Sequence, residues 1–167
     1  LEGEFHQVRI PKVLSLDDLN FNLTVTQALN SPLKVRIQGR GLHWKDVLVN
    51  RIDTEINGTR ASHNGYIQIH SKQMALFAQA QGGFDQQRQW RGQLQKLVFS
   101  GPLDLQLQSK VSVFASKNSL HMGESRWRFT GGQMYLNHFD WHKKEGISTK
   151  GNVSGLHLAV LRQLVHL

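Results

Sequence analysis

At 167 residues the chain is long enough for one domain with a sizeable core and too short to divide into two. It has no cysteine, which excludes disulfide and thiol chemistry, and no apolar run approaches the ~20 residues that cross a bilayer as a helix. The formal charge is +8, from 20 Lys and Arg against 12 Asp and Glu, but the basic residues stand singly, as in Lys34, Arg36, Arg40, Lys45, Arg51 and Arg60, with only Lys143-Lys144 adjacent. A scattered pattern of this kind describes a solvated face more than a nucleic-acid patch.

The first candidate strand is 5–10. In the second, Leu19, Phe21, Leu23 and Val25 alternate with Asn20, Asn22 and Thr24. After a turn at Asn30-Ser31-Pro32 the alternation resumes with Leu33, Val35 and Ile37. Strands follow at 47–57 and at 65–70, the latter carrying Ile67 and Ile69. Met74, Leu76, Ala78 and Ala80 keep the same period, as does a strand at 92–99. Leu103, Leu105 and Leu107 alternate with Asp104, Gln106 and Gln108; Val111 and Val113 lie in 111–115. The series ends with 119–123, 125–130 (Trp127, Phe129), 133–140 (Met134, Leu136) and 147–154. Side chains in a strand alternate between faces, so each segment is predicted to bury one face only.

Turn residues punctuate the series at Asn57-Gly58, Asn64-Gly65, Gly82-Gly83, Ser100-Gly101-Pro102, Gly131-Gly132 and Gly146. Only the end changes period: Leu158, Leu161, Leu164 and Val165 predict a short amphipathic helix over 157–166. The pattern therefore predicts one all-β domain over 1–167, an antiparallel meander. Sandwich, closed barrel and folded-over open sheet all satisfy it. "LVNRID" (48–53) resembles "YLNHFD" (135–140), and "NSPLKVRIQ" (30–38) resembles "SGPLDLQLQ" (100–108), the kind of short echo that a repetitive strand-and-turn architecture leaves.

Reactive constellations are sparse. His138, Asp140 and His142 share one strand face and could hold zinc, but the same alternation turns Phe139 and Trp141 inward, so the trio reads as an ordinary outward face and no metal is expected. Asp53 and Glu55 share a face, and Asp17-Asp18 reads as part of a turn; neither pair converges on a pocket as acid–base catalysis requires. No nucleophile elbow, phosphate loop or dinucleotide fingerprint is present, so neither an enzyme nor a cofactor is expected. Trp44, Trp90, Trp127 and Phe129 sit at or near apolar-periodic positions, leaving no exposed stacking platform for nucleic acid. Periodicity leaves open whether the apolar face is a closed core or a groove.

One stretch goes further. A strand ending in Trp44 leads to Gly58-Thr59 and His63, then to Gly83-Phe84-Asp85, to Trp90-x-Gly92-x-Leu94-x-x-Leu97, and to Pro102-Leu103. Together with the closing "GNVSGLHLAVLRQLV" (151–165), this resembles the TamB family of Gram-negative bacteria and its AsmA-like relatives. The resemblance covers roughly residues 39–165 and rests on many strands rather than one motif. It implies a long periplasmic sheet folded lengthwise into an open, taco-like groove, apolar inside. The implied lining is the set of apolar strand positions named above from Leu19 to Leu136, without Ala80, Trp44 and Trp90. It further implies that phospholipid passes along the groove between membranes, and that an outer-membrane barrel protein, TamA, is a partner in autotransporter and barrel assembly. The family's inner-membrane anchor has no counterpart here, and the start at Leu1 without methionine or signal peptide reads as an excerpt of a longer chain. Two other readings fit the same strands. One is a scaffold whose sheet edges accept strands from client β-barrel proteins; the other is a carbohydrate-handling β-sandwich, which needs carboxylates converging in a cleft.

Overall fold

The computed structural model describes residues 1–10, 14–25, 28–44 and 47–155. Alternating apolar and polar residues, rich in Val, Ile, Leu and aromatics, form strands there, and all of these strands join one sheet. In chain order they are β1 (Glu2–Ile10), β2 (Leu14–Thr24), β3 (Pro32–Trp44), β4 (Val47–Thr59), β5 (His63–Ser71), β6 (Ala75–Phe84), β7 (Trp90–Ser100), β8 (Leu105–Leu107), β9 (Val111–Ala115), β10 (Ser119–Met122), β11 (Ser125–Phe129), β12 (Gly132–His142) and β13 (Gly146–Ser154). Every pairing is antiparallel.

β1 to β7 follow one another across the sheet without a break in order. Beyond them, β8 and β9 pair with one and the same strand, β7, at Val98-Phe99 and over residues 90–94 respectively. β10 and β11 likewise share β12. Hydrogen bonds from Gln108 N to the Arg126 carbonyl (2.8 Å) and from Gly123 N to the Ser112 carbonyl (3.0 Å) bridge the gap. Thus β8–β9 and β10–β11 act as two long strands, each interrupted once, and the sheet is an up-and-down meander from β1 to β13.

The interruption is where packing is deepest. Leu107, Val111 and Trp127 form a buried cluster, against which Leu94, Leu105, Met122, Met134 and others pack. Ser125 is buried beside them, and its Oγ accepts the Trp127 indole N–H at 2.9 Å, so neither polar group is left without a partner.

Several sequence expectations change in detail. Asp17 and Asp18, expected in a turn, lie within β2. Asp18 pairs with Arg40 on β3 and accepts a hydrogen bond from His6 Nδ1 on β1 at 2.7 Å, cross-strand partners that override aspartate's poor strand propensity. Asn57-Gly58, Asn64-Gly65 and Gly82-Gly83, expected as turns, are strand residues of β4, β5 and β6. Gly82 lies opposite Gly92, and a Cβ on it would stand 2.4 Å from the Arg91 carbonyl, so glycine here serves close approach of two strands rather than a reversal. The strand expected at 33–37 runs on to Trp44. Val25 follows the end of β2, while Met74 and Leu103 precede β6 and β8, outside any strand. The helix expected at 157–166 lies outside the described residues.

Candidate functional site

Residues directly opposed in an antiparallel ladder point to the same face, so the register fixes what each face carries. Starting from β1, Phe5 opposes Leu19. Phe21 and Leu23 oppose Ile37 and Val35, and Val35 in turn opposes Ile56. Ile52 opposes Ile69, whose next partner is Leu76; Thr54 opposes Ile67, whose next partner is Ala78. Leu76, Ala78 and Ala80 oppose Phe99, Leu97 and Leu94. The row continues through Phe99–Leu105–Phe129 and Leu94–Val111, then Leu107–Trp127–Met134 and Val113–Met122–Phe139, to Val153 on β13. Leu33 lies one period from Val35, and Leu136 opposes Ser125.

The structure thus brings together on one face every apolar strand position named in the sequence except Val25, Met74 and Leu103, which flank strands. The face spans all the strands, yet few of its side chains are buried. Leu33, Leu107, Val111, Trp127 and Phe129 are, whereas Phe5 is 51% exposed, Ile147 67% and Val153 54%. The whole chain exposes 11811 Å², against about 8,400 Å² for a compact monomer of its mass.

The opposite face is polar and internally paired. Arg51 forms an ion pair with Asp53, to which Gln38 Nε2 also donates at 3.1 Å. The Arg51 hydrogen bond holds the nearly buried Asp53 carboxyl below its ordinary value, outweighing the opposing effect of burial. Asn57 donates to Glu55 at 2.7 Å, so the two carboxylates of this strand serve separate partners and do not converge. Across β10 and β12, Asp140 Oδ1 lies 2.5 Å from His121 Nδ1, with His138 Nε2 3.6 Å from its other oxygen. The His121 bond keeps Asp140 below the usual carboxylate range. Among the described residues no group of three or more His, Asp or Glu is arranged to hold a metal.

Alternation alone did not reveal a depression of about 490 Å³ in the apolar face, lined by Leu33, Ile56, Ile67, Ala78, Ala80, Phe84 and Trp90 among others. It exists because small residues, Gly65, Ala78 and Ala80, occupy apolar positions between larger ones. At its end His63 Nδ1 donates to the Thr59 carbonyl at 3.0 Å while Nε2 accepts the Trp90 indole N–H at 3.0 Å, so both ring nitrogens are paired. The available signal was the run Ala78-x-Ala80-x-Gly82, small residues at period two.

The sequence matches the family model described as "TamB, N-terminal domain" over residues 2–166. No curated protein and no solved structure matches the chain.

Proposed function

Because the chain belongs to the TamB family, whose members serve lipid and protein assembly in the bacterial envelope with the outer-membrane protein TamA, we propose that its apolar face is a segment of a lipid-conducting groove. The supporting observation is the apolar face that runs from Phe5 on β1 to Val153 on β13, much of it half-exposed and covered by no second sheet among the described residues. Such a face shields acyl chains from water at ~0.8 kcal/mol per methylene. For a chain of a dozen or more carbons the sum offsets most of the cost of leaving a bilayer. The contacts are numerous, similar and non-directional, which lets a chain slide instead of lodging in one pocket. In this reading the polar face, with its paired Asp53, Asp140 and Glu55, is the solvated outside, and the envelope partners engage the groove through the rest of the protein.

The test is native mass spectrometry of the purified chain beside a Leu76→Asp variant, with folding checked by circular dichroism. Phospholipid is expected to co-purify with the wild type and to be lost from a variant that keeps its strand signal. A wild type without lipid, and a variant that unfolds, would make the face a closed core.

A further inference from the structure

Three loops meet at one end of the sheet. The Ala61 N–H donates to the Leu29 carbonyl, the Phe84 N–H to the Arg60 carbonyl, and Asp85 N–H to the Gln89 carbonyl, at 2.8, 2.8 and 2.9 Å. Between them lies a second cavity of about 830 Å³, whose lining includes Leu29, Arg60, Phe84, Asp85 and Arg88. Phe84 also lines the apolar depression, so the two spaces share a lining residue. The first is lined mostly by apolar residues; the second adds Arg60, Asp85 and Arg88 to an apolar lining that includes Leu29 and Phe84.

Arg88 is the residue that needs explaining. It is the one non-glycine with positive φ among the described residues, at 61°, a left-handed conformation that glycine adopts freely and an L side chain adopts at a cost. Its N–H closes the turn onto the Asp85 carbonyl at 3.2 Å, a job glycine would do without strain. Among the described residues its exposed guanidinium has no hydrogen-bond or ion-pair partner. Asp85 does not supply one, because its carboxylate accepts from Gln89 N–H at 2.9 Å and lies 4.0 Å from Arg91 Nε. Strain kept at a position whose side chain makes no hydrogen bond or ion pair among the described residues points to a ligand.

We propose that this end of the sheet seats a single glycerophospholipid, its phosphate against Arg88, its glycerol beside Phe84 and an acyl chain along Ile56, Ile67 and Ala80. The site rests on the lipid-conducting reading and adds to it a fixed headgroup position, hence a preference for phosphate-bearing lipid and a defined polarity of entry.

The experiment titrates the purified chain with two fluorescent-acyl probes of identical chains, phosphatidylglycerol and diacylglycerol. Wild type is expected to bind the phosphate-bearing probe at least fivefold more tightly, the effect of about one arginine near an anionic headgroup. Arg88→Gly is expected to erase that difference, leave diacylglycerol binding unchanged and raise Tm by about 2–4 °C through relief of the left-handed side chain. Ala80→Phe, which fills the depression, is expected to weaken both probes alike. Inorganic phosphate is expected to displace neither; displacement by it would make the site an anion site and overturn the lipid assignment. An Arg88→Gly chain that keeps the phosphatidylglycerol preference overturns the headgroup site while the groove reading stands. A wild type that binds neither probe overturns both.

Discussion

The sheet has two regions that share one pattern and differ in what the pattern does. Around the junction of β8, β9, β10 and β11, the apolar face closes on itself and Val111 and Ser125 are each only 1% exposed. Across β2 to β6 residues of the same kind in the same alternation are only half-buried, Leu33 and Val49 excepted, and β13 is exposed throughout. Hydrophobicity does not separate the regions, since Ile67 and Ile69 are no more polar than Val111. What separates them is the continuity of the ladder. Where Gln108–Lys110 and Gly123-Glu124 interrupt both strands, side chains from β7 to β12 converge on Leu107, Val111 and Trp127. Where the ladder runs on with small residues such as Gly65, Ala78 and Ala80 in the row, the face stays shallow and accessible. One region is packed as a core, and the other is the face proposed to hold lipid.

The sharpest way to break that comparison is to place the same charge in both regions. Val111→Asp buries a carboxylate with no partner and is expected to cost about 4 kcal/mol, a large share of a domain's stability. Ile67→Asp, in the open region, leaves its carboxylate near water and is expected to cost about 1–2 kcal/mol while abolishing lipid capture. Urea midpoints of the two variants decide the matter; equal losses would mean that the open region is packed as tightly as the closed one.

A smaller effect tests what does stabilise the open half. Leu33 and Val49 are its buried apolar side chains, and Asp53 on the polar face is as buried as they are, at 8% exposed. Its folded-state pKa is lowered by Arg51 and Gln38. The stability it contributes is therefore fully present above the ordinary aspartate value near pH 4 and is lost as pH falls through the folded value. Asp53→Asn is expected to cost about 1.5–2 kcal/mol at pH 7. It should also flatten the stability profile below pH 4. An unchanged acid limb would assign the acid sensitivity to other carboxylates.

The two regions were unequally legible in the sequence. Period-two alternation placed the strands and the apolar face, because each strand has to present its greasy side to the same layer as its neighbours. It did not place the closed cluster, since the two ladder breaks depend on Gly123 meeting Ser112 across strands, a relation between residues far apart in the chain. It misread Asp17-Asp18 and Gly82-Gly83 as turns for the same reason: a cross-strand partner, His6 and Arg40 in one case and Gly92 in the other, decides the conformation, and local propensity is overruled. The depression beside Trp90 escaped because alanine and glycine at apolar positions count as weak core residues in a single strand, and become an open volume only when two neighbouring strands align them.

The least costly perturbation lies at the far edge. β13 is exposed along its whole length and among the described residues pairs only with β12, and it carries Ile147 and Val153 outward from the ladder beside a 36% exposed Trp141. An edge with free N–H and C=O groups and apolar side chains is the form that recruits another strand, and charged residues are what blunts it. Neither isoleucine nor valine is buried, so Ile147→Lys with Val153→Lys should change stability by no more than about 0.5 kcal/mol. Self-association followed by light scattering should fall all the same, because the added charges oppose pairing without touching the packed junction. A variant that unfolds instead would show that β13 is packed as part of the closed region, and that the boundary between the two halves lies beyond it.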